Sequence, residues 1–93
     1  GDDDLYGDDG RDSLSGGGGR DHLSGGNDND VCYGNVGDDV LDGGAGNDTL
    51  FGGHDVDAVS GGDGDDAVYG NIGADSLFGG PGNDILFGGR DQD

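Results

Sequence analysis

The chain has no lysine, glutamate, methionine or tryptophan, and a single cysteine. With Cys32 alone, no internal disulfide can form. One thiol and two histidines do not supply a zinc- or copper-type ligand set. Without lysine the phosphate-loop reading fails, and without a 3.6-residue apolar period there is no helix for a dinucleotide fold. Long apolar runs are also missing, so no segment reads as a membrane span or a signal peptide. Positive charge is scarce: three arginines face 22 aspartates, for a formal net charge of −19. That sign argues against nucleic acid and anionic membranes as partners. Apolar residues make up 28% of the chain, and low hydrophobicity with high net charge is the usual composition of disorder.

What is abundant is strictly ordered. Every ninth residue from Asp3 to Asp93 is an aspartate, eleven in succession. Aligned on that period, the chain reads G-G-x-G-x-D-x-U-x, with U apolar. Gly43-Gly44-Ala45-Gly46-Asn47-Asp48-Thr49-Leu50-Phe51 is the cleanest copy, and Gly79-Gly80-Pro81-Gly82-Asn83-Asp84-Ile85-Leu86-Phe87 is another. Fixed-period self-similarity marks a solenoid. Column one is glycine without exception from Gly7 to Gly88. Columns two and four depart from glycine only at Asp8, Asn35 and Asn71, and at Asp28, Asp55 and Asp91. Asn and Asp are the non-glycine residues that best tolerate left-handed backbone angles. These columns are therefore expected to need positive φ or close backbone approach.

Column eight reads Leu5, Leu14, Leu23, Cys32, Leu41, Leu50, Val59, Val68, Leu77 and Leu86. One apolar residue between variable neighbours is the smallest strand that can face a core. Each unit is predicted to be a six-residue turn followed by a three-residue strand, half of a coil. Two units complete a turn, so residues i and i+18 share an edge. The expected fold is all-β, a parallel β-roll with two nonapeptide repeats per turn over residues 1–93.

Ten apolar side chains are too few to order such a glycine-rich chain by themselves. Stacked strands lie about 4.8 Å apart, inside a Debye length of about 8 Å at physiological ionic strength. Column-six carboxylates one turn apart would repel unless a cation lay between them. Carboxylates with loop carbonyls form a hard oxygen donor set, which favours Ca²⁺. The candidate metal ligands are Asp3, Asp12, Asp21, Asp30, Asp39, Asp48, Asp57, Asp66, Asp75, Asp84 and Asp93. Along one edge Asp12, Asp30, Asp48, Asp66 and Asp84 pair in sequence. Along the other, Asp3, Asp21, Asp39, Asp57, Asp75 and Asp93 do. Up to about nine ions would carry roughly +18, close to balancing the chain's −19.

The repeats resemble the hemolysin-type calcium-binding repeats of RTX proteins over the whole chain. That resemblance implies a right-handed β-roll with Ca²⁺ held between turns by column-six aspartates and backbone carbonyls. It also implies a secreted bacterial parent, exported unfolded by a type I system and folded outside the cell by calcium. Asp28, Asp55 and Asp91 depart from the pattern, and their loops are expected to bind differently. The first unit is cut to Gly1-Asp2-Asp3, and the chain reads as a fragment of a longer protein. The expected function is a calcium-binding structural module, not an enzyme. Two settings are open: attachment to a secreted hydrolase or alginate epimerase, or a rod segment of a large adhesin or surface-layer protein.

The remaining candidates have plainer readings. Cys32 occupies the inward column and reads as a small buried hydrophobe. His22 and His54 have no nucleophile at fixed spacing and read as surface residues. Asn47-Asp48-Thr49 fits a glycosylation sequon by coincidence of two loop columns. Asp28-Asn29-Asp30 lacks the helices and terminal Glu of an EF-hand. Tyr33, Phe51, Tyr69 and Phe87 are predicted to form an aromatic ladder on one outer face. Such a ladder reads either as cross-strand stacking or as a docking face for another domain, chain or glycan.

Overall fold

A computed structural model describes residues 1–91, which form ten short strands. They are β1 (Asp4–Tyr6), β2 (Ser13–Gly18), β3 (His22–Gly26), β4 (Val31–Val36), β5 (Val40–Ala45), β6 (Thr49–His54), β7 (Ala58–Asp63), β8 (Ala67–Ile72), β9 (Ser76–Phe78) and β10 (Ile85–Phe87). Odd strands form one five-stranded parallel sheet and even strands the other. Partners sit eighteen residues apart throughout, as in Cys32 with Leu50 and Leu50 with Val68. The chain therefore visits each sheet once per turn, a β-solenoid of about five turns with two repeats in each. The slab measures 29 × 28 × 13 Å. Among the described residues no helix is long and apolar enough to cross a membrane.

Column eight forms the core. Leu23, Cys32, Leu41, Leu50, Val59 and Val68 are buried between the sheets, with Leu5, Leu14 and Leu77 packed against them. Leu86 departs from the expectation at 43% exposed, because β10 is the outermost strand of its sheet. A larger departure concerns strand length. Most interior strands run six residues rather than three, from column seven through column three of the next unit. Asn35 pairs with Gly53, and Val36 with His54, so the glycine-rich stretch continues the sheet ladder. Only columns four to six remain as turn.

The left-handed columns are where the sequence placed them. Every described residue with positive φ lies in column two or four, including Asp8, Asp28, Asn35, Asp55, Asn71 and Asp91 at 72–84°. On the outer face of the even sheet, Tyr33, Phe51, Tyr69 and Phe87 stack at 5.0, 4.8 and 5.0 Å, within 11° of parallel. The inner rings spend both faces on one another, so the ladder presents ring edges outward. His22 lies on the other outer face, 3.8 Å from Asp4 and edge-on to Tyr6, while His54 is exposed.

Candidate metal centres between the turns

Each column-six aspartate from Asp12 to Asp84 closes the tight turn of columns four to six and reaches back to the column-one glycine of its own loop. One carboxylate oxygen is committed to the neighbouring turn. The N–H groups of Asp3, Asp12, Asp21, Asp30, Asp39, Asp48, Asp57 and Asp66 donate to Oδ1 of the aspartate eighteen residues later, at 2.7–2.9 Å. The carbonyls of the same residues are taken by the following turn, as where Val31 N–H donates to Asp12 O at 2.9 Å. Every expected pair among the described residues is thus brought together, with Asp75 and Asp84 as the last acceptors. Asp93 lies outside the described residues. The contact is not carboxylate to carboxylate, as charge reasoning alone suggests. It runs from main chain to carboxylate.

The other oxygen is different. Oδ2 of Asp12, Asp21, Asp30, Asp39, Asp48, Asp57 and Asp66 is buried and meets no hydrogen-bond donor. A buried ionised oxygen without a partner is strongly unfavourable. It faces the column-one glycine five residues earlier. A Cβ built on Gly25 would lie 2.6 Å from Asp30 Oδ2 and 2.6 Å from the carbonyl oxygen of Gly43 on the next turn. At Gly7 the same point is 2.6 Å from Asp12 Oδ2 and 2.5 Å from Gly25 O. Gly34 and Gly43 repeat the arrangement with Asp39 and Gly52, and with Asp48 and Gly61. Column one therefore needs glycine for space, since its φ is ordinary, while columns two and four need it for backbone angle.

Electrostatics follow from this burial. Desolvation pushes the Asp57 carboxyl up to about 7 and Asp48 up to about 6. Main-chain donors from Asp39 and Asp30 oppose the shift, and neighbouring aspartates add to it. Asp30, Asp39 and Asp66 are raised for the same first reason. Burial also pushes the Cys32 thiol up to about 12, which suits an inert core residue.

Among the described residues no three His, Cys or Asp side chains converge on one point. A cation here would have to draw on main-chain carbonyls as well as carboxylates. Orphaned Oδ2 atoms with glycine carbonyls beside them, as at Asp30 and Gly43, form an oxygen donor set that fits a hard divalent ion. Column five was missed by sequence reasoning. Asn29, Asn47 and Asp65 use their side-chain oxygens to accept N–H groups from the next turn. The frequency of Asn and Asp in that column was the available signal.

The family model described as RTX calcium-binding nonapeptide repeat (4 copies) matches residues 1–32, 33–68 and 60–93. No curated protein and no solved structure gives a significant match.

Proposed function

Because the chain belongs to the RTX calcium-binding nonapeptide repeat family, we propose that it is a calcium-triggered structural module that folds outside the cell. The observation that carries this reading is the row of buried Oδ2 atoms without donors. Asp12, Asp21, Asp30, Asp39, Asp48, Asp57, Asp66, Asp75 and Asp84, with main-chain carbonyls such as those of Gly25, Gly43, Gly52 and Gly61, would hold the ions. Bound calcium supplies the positive charge that three arginines against 22 aspartates cannot. The chain's own groups do the rest: Oδ1 locks the adjacent turn, column-one glycines leave room, and column eight seals the interior. The role is structural rather than catalytic.

Extracellular calcium modules bind at about 10⁻⁴ to 10⁻³ M. In a low-calcium cytosol the charges keep the chain extended, which suits export through a type I system. At the calcium level outside, successive turns order one upon another. The parent is then a secreted or cell-surface protein, with this module attached to a hydrolase or epimerase, or forming part of an adhesin rod. Circular dichroism tests the core of the proposal. The chain should be coil in EDTA at neutral pH and β-structured above a sharp calcium threshold. A spectrum unchanged by calcium would reject it.

A further inference from the structure

The repeat consensus leaves column five free, yet among the described residues this column carries a second ladder that runs unbroken over three rungs, from Asn29 to Asn83, along one edge only. On the edge preceding the even strands, Oδ1 of Asn29, Asn47 and Asp65 accepts the N–H of Asn47, Asp65 and Asn83, at 2.7, 2.9 and 2.8 Å. Each donor immediately precedes a column-six aspartate: Asp48, Asp66 or Asp84. The acceptor lies on the earlier turn, whereas in the column-six ladder it lies on the later one. Two adjacent residues of each loop are thus clamped from opposite sides. On the other edge, among the described residues, only Asp2 and Asp38 accept, from Arg20 and Val56, at 2.9 and 3.1 Å. Those two bonds are not consecutive, because the side chains of Arg20, Val56 and Ala74 hold no acceptor.

We propose that Asn29, Asn47 and Asp65 are positioning residues that pre-order the Asp30–Asp48–Asp66–Asp84 edge, so that its calcium sites fill before those of the opposite edge. The inference rests on the calcium-binding reading above. A loop already held by its neighbours loses less freedom when an ion binds, and preorganisation of this kind raises affinity without a new contact to the ligand. The column-five bonds are exposed, so each is modest. Three in succession, each next to a candidate ligand, bias one edge. The competing account is that Asn and Asp serve only as turn formers, in which case glycine would replace them without effect.

The test is amide hydrogen exchange of the full chain during a calcium titration, resolved for Asp48 and Asp66 against Asp39 and Asp57. Protection of the first pair should appear at calcium concentrations at least threefold lower than protection of the second. Asn47→Gly should close that gap, and Asn47→Asp, which keeps the acceptor, should preserve it. Arg20→Asn with Val56→Asn would make the ladder continuous on the opposite edge and should move Asp39 and Asp57 to lower calcium. A gain of this kind cannot arise from misfolding. Equal midpoints in the unaltered chain, or no shift in the double variant, would overturn the inference while leaving calcium-driven folding intact. Absence of calcium-induced protection on both edges would instead remove the reading on which it rests.

Discussion

Glycine does two separate jobs at the level of single residues. At Gly25 the backbone angle is unremarkable, but the space a side chain would need is filled by Asp30 Oδ2 and Gly43 O. At Gly17 the reverse holds: φ is 93°, and nothing lies within 4 Å of the point where a Cβ would stand. Gly25→Ala should therefore destabilise the calcium-loaded fold by about 2–4 kcal/mol, since it pushes a methyl into a buried carboxylate. Gly17→Asn should change stability by less than about 1 kcal/mol, because Asn accepts the left-handed angle. Urea melts of both variants in saturating calcium would separate the two roles.

Protons offer the same carboxylates another remedy. Folding raises Asp57 to about 7 and Asp48 to about 6, against an ordinary value of 3.8. Between those limits the folded chain binds protons that the unfolded chain does not. Metal-free order must then strengthen as pH falls from 7 towards 4, and weaken as pH rises through 6 and 7. Dichroism in EDTA should show more β-structure at pH 5 than at pH 7.5. The opposite trend would mean that these aspartates are not buried in the metal-free chain.

Among the elements, the strands show what could be read in advance and what could not. Column eight was legible because a single inward position every nine residues leaves one choice of core face, and Leu23 through Val68 fill it. The pairing of Asp30 with Asp48 was legible from the eighteen-residue turn, and its main-chain-to-carboxylate form was not. Strand length was obscured because glycine-rich columns one to three read as turn, although Asn35 and Val36 pair in register with Gly53 and His54. The column-five ladder was hidden because Asn47 looks the same in sequence whether it shapes a turn or bonds the next one. The aromatic ladder allows a graded prediction. Phe51 stacks on both Tyr33 and Tyr69, whereas Tyr33 stacks on Phe51 alone. At about 0.5–1.5 kcal/mol per pair, Phe51→Ala should lose about twice the stacking stability of Tyr33→Ala. Equal losses in thermal melts with calcium would show that ring burial, not stacking, governs this face.

Across the whole molecule, a formal charge of −19 is confined to a slab 13 Å thick, with a radius of gyration of 11.5 Å. An unfolded chain of this length should have a radius near 30 Å, so compaction is easy to see by small-angle scattering. Two explanations of a calcium effect must be separated. Divalent ions could merely screen repulsion, or they could neutralise the buried Oδ2 row between turns. Monovalent salt does the first and not the second: at 1 M the Debye length falls to about 3 Å, yet buried oxygens without donors remain unsatisfied. The chain in EDTA at neutral pH should therefore stay near 30 Å when sodium chloride is raised to 1 M. It should contract towards 12 Å only when calcium is added. Contraction in salt alone would assign the effect to screening, because buried carboxylates gain nothing from ions that cannot reach them.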